Sequence, residues 1–518
     1  MGRHRGGSQG HEGPARRAGA PKATGRARRT GPAKEAGLPP KSGPARKAGP
    51  ARNAGPARNA GPVRKAGPAR RTGPAARKRR PLRWVLGSAG VLLLVIAGAG
   101  AWIYHDLDGN IHAADIDAKL GGDRPANLSP GSKNILVVGS DTREGANAKY
   151  GKGLETMQSD TLMLLHIPAD RKWATVVSFP RDSWVEIPAC DKGDGSRSAV
   201  HRFKINEAFS LGGSTGDVAS AAACTIKTVE SGTGLRVDHF LSLDFEGFKG
   251  MVDALGGIEV CPKEPIHDKK AHLDLEAGCQ VVRNEKALGY VRTRYSVGDG
   301  SDIGRIGRQQ EFMEALAEKA QSELTNPKAL YGFLQSATKS LTTDSSLAGI
   351  KPLYGLASEL KGIPRNRLAF LTVPNYPREA DVPTDRANVV WQFPQATELF
   401  AALAKDKEVD GARVKKLKAA ARNPVYASSV RIRVLNGTGG AGRAAEAAKQ
   451  LGEAGYAVTG TGNAPSPARA TRVAYPDGMK AAAAQVASRL PGTHAVRDDD
   501  ATPGVVTVTI GEDFDRVR

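Results

Sequence analysis

Lys133-Asn-Ile-Leu-Val-Val-Gly139 runs directly into Ser140-Asp141-Thr-Arg143, an apolar strand with charged chemistry at its end. The arrangement recurs twice. Thr161-Leu-Met-Leu-Leu-His-Ile167 follows Ser159-Asp160, and Trp173-Ala-Thr-Val-Val-Ser-Phe179 leads into Pro180-Arg181-Asp182. Short apolar runs bounded by turn residues read as strands. Residues 215–231 and 245–255 have apolar and small residues at helical spacing, and the second stretch closes on Gly256-Gly257. Strands alternating with helices predict an α/β fold, a mixed sheet flanked by helices.

Further along, the pattern is helical from residue 310 to about 360, with breaks expected at Pro327 and Pro352, and then a strand covers residues 367–373. A helix is expected over 392–404, which places the first domain at residues 133–404. Residues 405–427 are charged and interrupted by proline, as in a linker. A smaller α/β domain occupies 428–514. It opens with the strand Val430-Arg-Ile-Arg-Val-Leu435, continues through Asn436-Gly437-Thr-Gly-Gly-Ala-Gly442 into a small-residue helix, and ends on a strand over 505–510.

Tyr290-Val-Arg-Thr-Arg294 and Asp302-Ile-Gly-Arg305-Ile-Gly-Arg-Gln-Gln310 bring four arginines and two terminal glutamines close together in the chain. Solubility alone would mix Lys with Glu; an Arg-rich run selects planar forks that grip phosphate oxygens bidentately. Arg292 and Arg294 alternate as on a strand, which would send both side chains from one face. Arg305, Arg308 and Gln309 are spaced to share one face at the start of a helix reaching about residue 323. Asp141, Asp160, Arg181 and Asp182 stand at strand ends, where α/β folds place ligands. Carboxylates beside an arginine clamp suit a hard divalent cation bridging them to phosphate.

Residues 1–83 contain 23 Lys and Arg against two Asp and Glu, so they hold +21 of the formal +22. The basic pI therefore belongs to this tail, which repeats Gly-Pro-Ala-Arg hexapeptides and has too few apolar residues to fold; it reads as disordered. Residues 84–104 are 21 uncharged, apolar residues with aromatic residues at both ends, long enough for one transmembrane helix. Arg77-Lys-Arg-Arg80 and Arg83 precede this span and Asp106 and Asp108 follow, which predicts a cytoplasmic amino terminus and an extracellular remainder, with residues 105–132 as a stalk. A cleaved signal peptide fits poorly, given the long segment ahead of the span.

Cys190, Cys224, Cys261 and Cys279 all lie beyond the span and form no C-x-x-C pair. Disulfides suit an oxidising exterior, and the pairing Cys190 with Cys224 and Cys261 with Cys279 closes the shortest loops; four buried free thiols are the alternative. The glycines at 437, 439 and 442 form a formal G-x-G-x-x-G after a strand, but the acidic residue a dinucleotide site needs is missing from the next strand's end, so a tight turn suffices.

Five motifs in order, Ile135-Leu-Val-Val-Gly-Ser-Asp-Thr-Arg143, Ser159-Asp-Thr161, Val177-Ser-Phe-Pro-Arg-Asp182, Val252-Asp-Ala-Leu-Gly-Gly257 and Val291-Arg-Thr-Arg294 through Gln310, resemble the LytR-CpsA-Psr family across residues 133–325. Residues 428–514 resemble the LytR carboxyl-terminal domain found in actinobacteria. The resemblance implies a membrane-anchored phosphotransferase moving an anionic glycopolymer, such as teichoic acid, from a polyprenyl pyrophosphate carrier to peptidoglycan, with pyrophosphatase as a possible side activity. Carried over by motif, Asp141 and Asp160 would hold Mg2+, and Arg181, Arg292, Arg294, Arg305, Arg308 and Gln309 would bind pyrophosphate. Asp160 or Asp182 would take a hydroxyl proton, while Arg143 and Asp302 match further motif positions. Two alternatives come from other classes: a non-catalytic scaffold binding lipid phosphate or wall, and a membrane-bound transcriptional attenuator. The topology puts every motif on the wrong side of the membrane for DNA, so no nucleic-acid partner is expected.

Overall fold

The computed structural model describes residues 80–140, 157, 159–293, 302–323, 325–421 and 424–518, with backbone alone for 80–92, 302–306, 418 and 421. The disordered reading of residues 1–79, and the positions Asp141, Arg143 and Arg294, lie outside these residues. The chain opens with α1 (Arg80–Asp108), β1 (His112–Ala114), α2 (Asp117–Leu120) and β2 (Lys133–Ser140). Next come β3 (Ser159–Ile167), β4 (Ala174–Phe179), and the hairpin of β5 (Trp184–Ile187) with β6 (His201–Lys204). Helices α3 (Glu207–Gly212) and α4 (Val218–Thr233) precede β7 (His239–Asp244) and α5 (Phe245–Ala254). Four short strands follow, β8 (Ile258–Val260), β9 (Ile266–Asp268), β10 (Leu273–Leu275) and β11 (Gln280–Val282), and then α6 (Asn284–Arg292) and α7 (Asp302–Glu323). Beyond them are α8 (Pro327–Lys339), β12 (Leu341–Asp344), α9 (Ile350–Lys361) and β13 (Leu368–Thr372).

The main sheet has seven strands in the order β1-β12-β7-β2-β3-β4-β13 and is mixed: β2 runs parallel to β7 and antiparallel to β3. Strand alternation sorts its side chains onto two faces. Leu136, Val138, Leu162 and Leu164 enter a large core with α3, α4 and α10 (Gln395–Ala404). Ile135, Ile167 and Ala174 enter a smaller one with Leu356 of α9. Both faces are covered, which is why these strands read as continuous apolar runs rather than alternating ones. Helix α4 starts where the Asp217 side chain accepts from the Ala219 N–H and stops at Gly234, which takes a left-handed φ of 72°.

The order continues through β14 (Asn375–Pro377), β15 (Val389–Trp391), α10 and α11 (Gly411–Ala421). The terminal segment comprises β16 (Arg431–Asn436), α12 (Arg443–Glu453), β17 (Ala457–Asn463), β18 (Arg472–Tyr475), α13 (Lys480–Ser488), β19 (Ala495–Arg497) and β20 (Val506–Ile510). Its five strands form a separate sheet, β17-β16-β20-β18-β19, over a core that includes Val434, Leu451, Val486 and Val508.

Five expectations need correction. Residues 105–132 are not a separate stalk: β1 is the edge strand of the main sheet, and Ala114, Ile116 and Leu120 enter its core. Arg292 ends helix α6 rather than lying on a strand. The helical run from 310 to 360 is interrupted by β12, whose polar Leu-Thr-Thr-Asp is strand only because it pairs with β7 and β1. Pro352 does not break α9: it sits in the first turn, where no N–H bond is lost. The linker over 405–427 contains α11, which buries Leu417 in the main core. Among the described residues no helix is long and apolar enough to cross a membrane.

Candidate functional site

Register decides where the chemistry meets. Ser140 at the end of β2 pairs with Ser159 at the start of β3 and lies beside Asp244 at the end of β7. Leu162 pairs with Phe179, so the end of β4 reaches the same edge, and Thr372 of β13 pairs with Ser178. One end of the sheet therefore gathers Asp160, the Pro180-Arg181-Asp182 turn and the Asp244-Phe245 junction.

At this end the Arg181 Nη1 donates to Asp160 Oδ1 at 2.5 Å, and Arg181 Nε lies 3.9 Å from Asp182 Oδ2. Arg292 Nε approaches the other oxygen of Asp160 at 3.8 Å, and its guanidinium lies over the Phe245 ring, 4.8 Å from the centroid. One carboxylate thus orients two guanidinium groups. All three side chains remain 20–27% exposed, open enough for a ligand to reach. Placing Arg292 at the end of α6 points it at Asp160 from across the site, so the clamp closes from two directions.

Gln309 of α7 donates to the Thr161 hydroxyl at 3.3 Å and to the Val291 carbonyl at 3.0 Å, tying that helix to β3 beside Asp160. Its neighbour Arg308 is buried and donates from Nη2 to the Thr293 carbonyl at 2.6 Å; burial holds its guanidinium below the usual arginine range. Arg308 therefore braces the chain after α6, and Thr293 is braced in turn by its hydroxyl donating to Asp268 at 2.6 Å. The side chains of Asp302 and Arg305 lie outside those described; both residues stand in the first turn of α7.

Sequence reading missed Lys204. Its Nζ donates to Asp182 Oδ1 at 2.5 Å and to the Ala387 carbonyl at 2.7 Å. The hairpin register pairs Lys204 with Trp184, two residues after Asp182, which closes the contact. No local pattern marks this lysine; only the fold of the hairpin back on itself brings it in.

Among the described residues no group of three or more His, Cys, Asp or Glu could hold a metal ion. Asp160 is among the described residues and Asp141 lies outside them. Two hard carboxylates plus phosphate oxygens are a donor set that suits magnesium. The disulfides join Cys190 to Cys224, tying the loop after β5 to α4, and Cys261 to Cys279, across the small-stranded lobe. In the terminal unit, Gly437 is pressed so close to Ala468 that a Cβ would lie 2.6 Å from that side chain, and Gly442 has φ 81° at the start of α12. These glycines serve a tight turn.

A mixed α/β sheet with arginine and carboxylate side chains gathered at one end is the architecture of this chain. Residues 103–408 match the LytR_cpsA_psr family, more than half of the chain, and the protein belongs to that family. Residues 429–514 match the LytR_C family, described as LytR cell envelope-related transcriptional attenuator. The probable cell wall biosynthesis protein LcpB of Corynebacterium glutamicum is 38% identical over 217 residues, 40% of this chain and 47% of that protein. Cell wall biosynthesis protein LcpA of the same organism is 29% identical over 407 residues, 74% of this chain and 76% of its own. The polyisoprenyl-teichoic acid–peptidoglycan teichoic acid transferase TagU of Enterococcus faecalis is 27% identical over 270 residues, 52% of this chain and 80% of its own. A solved LytR-Csp2A-Psr enzyme from Actinomyces oris is 20% identical, covers 57% of this chain and 96% of its own, and superposes with a TM-score of 0.41.

Proposed function

We propose that this protein is a membrane-anchored phosphotransferase of the cell envelope, which moves an anionic glycopolymer from a polyprenyl pyrophosphate carrier to peptidoglycan and leaves a phosphodiester link. The observation that carries the reading is Asp160 holding Arg181 and Arg292 together at the sheet end. Family membership supports it, as does the name of the Enterococcus relative, a transferase acting between polyisoprenyl teichoic acid and peptidoglycan.

Phosphoryl transfer asks little covalent chemistry of the protein and much positioning and charge stabilisation. Arg181 and Arg292, preset by Asp160, grip the pyrophosphate oxygens and meet the negative charge that grows on the bridging oxygen. Asp182 is occupied by Lys204 and Arg181, so it holds the clamp in place. Asp160, which itself pairs with Arg181 and Arg292, lies between the two guanidinium groups and is the carboxylate proposed to take the acceptor proton. The acceptor hydroxyl oxygen bonds to the glycan-linked phosphorus, the bond to the polyprenyl phosphate breaks, and polyprenyl phosphate leaves. Magnesium, held by Asp141 and Asp160, would neutralise pyrophosphate charge when bound.

Anchoring rests on residues 84–104, uncharged and apolar, with basic residues before them and acidic ones after. Leu93, Leu94, Val95, Ile96 and Trp102 of α1 stand 59–74% exposed, an apolar surface that a bilayer would cover. The amino terminus is then cytoplasmic and both sheets extracellular, where disulfides persist. The test is transfer of a polyprenyl-pyrophosphate-linked glycopolymer to peptidoglycan by the full chain in nanodiscs, with magnesium or with chelator, and with Asp160→Ala alongside. Transfer that needs magnesium and Asp160 is expected; transfer indifferent to both would overturn the reading.

A further inference from the structure

Helix α1 does not stop where the apolar stretch ends. It runs unbroken through Tyr104 to Asp108, and its last turn is built into the main unit. Asp106 accepts from the Tyr331 hydroxyl of α8 at 3.4 Å, and Asp108 accepts from the Ile350 N–H at the start of α9 at 2.8 Å. Leu107 between them is 3% exposed. Past Asp108 the chain turns, with the Gly109 N–H donating to the His105 carbonyl, and enters the main sheet at His112, which pairs with Thr342. The apolar helix and the fold are thus one continuous piece, so the height of one in a membrane sets the height of the other.

With α1 as the anchor, the hydrocarbon ends near Tyr104. A helix rises about 1.5 Å per residue, which puts Asp106 about 3 Å and Asp108 about 6 Å beyond that edge, and tilt only lowers both. The headgroup layer is itself about 5–7 Å deep on each side. Tyr331 and Ile350 therefore stand in that layer or at its outer surface, together with the first turns of α8 and α9 that contain them.

The side chains of those turns suit such a place. Lys328, one helical turn before Tyr331, and Lys351, next to Ile350, are exposed and enter no ion pair among the described residues. Helix α8 contains no acidic residue, and the single one in α9, Glu359, is bound by Lys133 and Arg171. Asp106 and Asp108 are the acids beside these turns, each already accepting the bond described. Tyr354, one turn beyond Ile350, is 73% exposed, and Leu330, beside Tyr331, is 36% exposed. Lysines with aromatic and apolar side chains among them match a membrane interface, where the amine meets lipid phosphate and the ring meets the acyl boundary.

We propose that the first turns of α8 and α9 rest among the phospholipid headgroups of the bilayer that α1 spans, with Lys328, Lys351 and Tyr354 as the contacting side chains. This contact rests on the anchoring reading given above and adds to it a fixed footing for the main unit. Asp160, on β3 and four strand spacings from β1 or roughly 19 Å, is then held at a set distance from the lipid instead of on a loose tether.

The test uses the full chain in phosphatidylglycerol nanodiscs. All four native cysteines are disulfide-bonded, so single labelling sites can be added for a bimane fluorophore. The sites are Lys328→Cys, Lys351→Cys, Val95→Cys in the middle of the apolar stretch, and Lys449→Cys. Lys449 is 76% exposed in the terminal unit, which joins the main one through Arg202, Arg378 and Thr397. Nanodisc lipid carries a nitroxide quencher either on its headgroup or midway along its acyl chain. The headgroup quencher should remove roughly half or more of the emission at 328 and 351, both lying within about one headgroup depth of it, and leave 449 unchanged. The acyl-chain quencher should darken the label at 95. A label at 328 or 351 quenched no more than the one at 449, while 95 is quenched, would overturn the headgroup contact and leave the anchor standing. A label at 95 untouched by the acyl-chain quencher would overturn the anchoring reading and this contact with it.

Discussion

Arg181→Ala separates catalytic from structural roles most cleanly. The guanidinium donates to Asp160 at 2.5 Å and approaches Asp182 at 3.9 Å, and its side chain is 21% exposed. A charge-assisted bond in that setting contributes on the order of 1 kcal/mol to folding after solvent screening. The residue caps no helix and fills no core, so the variant should unfold within a few degrees of wild type. Catalysis should respond differently. A preorganised donor facing developing charge supplies about 3–4 kcal/mol of the barrier reduction, or roughly 10²–10³ in kcat. Turnover of a polyprenyl-pyrophosphate-linked saccharide, beside thermal unfolding of the same preparation, measures both. The loss should fall on kcat more than on KM, since the contact strengthens as charge builds. A folded Arg181→Ala protein with wild-type kcat would refute the reasoning.

Arg308→Ala should show the converse, a fall in stability of about 2 kcal/mol from the lost bond to the Thr293 carbonyl and the loosened chain after α6; chemical denaturation would measure it. Burial alone would raise the Asp344 carboxyl, but hydrogen bonds from His239, Ser346 and the Phe240 N–H hold it at about 2, below its ordinary 3.8. A depressed carboxyl stabilises the fold above its unfolded value, so on the order of 2 kcal/mol should be lost as pH falls from about 4 to about 2, and Asp344→Asn should flatten that slope in pH-dependent unfolding. Reduction of the disulfides should lower the unfolding temperature, with chain-entropy costs of about 4 kcal/mol for Cys190–Cys224, separated by 34 residues, and about 3 kcal/mol for Cys261–Cys279, separated by 18; a single Cys190→Ser, Cys224→Ser double variant measures the larger.

The central strands were legible because both faces of β2 and β3 are buried, which forces apolar residues at consecutive positions. Elements set by partners were not. Leu341-Thr-Thr-Asp344 has no strand pattern of its own and depends on β7 and β1 for its hydrogen bonds. The Arg-Thr-Arg alternation suggested a strand because side-chain type repeats every second residue, whereas Ala287, Leu288 and Tyr290 bury one face of a helix that ends at Arg292. In α11 the frequent lysines masked Val414 and Leu417, which pack on the main core. The same division holds for the site. Asp160 and Arg181 stand beside strand ends, so their convergence could be read along the chain, while Lys204 reaches Asp182 only through the register of the hairpin. Arg308 shares its spacing with Gln309, yet burial turns it toward the Thr293 carbonyl, a distinction that needs the packed helix.

Product balance tests the central claim most directly. Purified full-length protein in nanodiscs, given magnesium, a polyprenyl-pyrophosphate-linked glycopolymer and peptidoglycan oligomer, should form one glycopolymer–peptidoglycan phosphodiester for each polyprenyl phosphate released, followed by phosphorus resonance and mass spectrometry. Tight binding of the carrier lipid with no phosphate bond broken would contradict the account and leave a scaffold in its place.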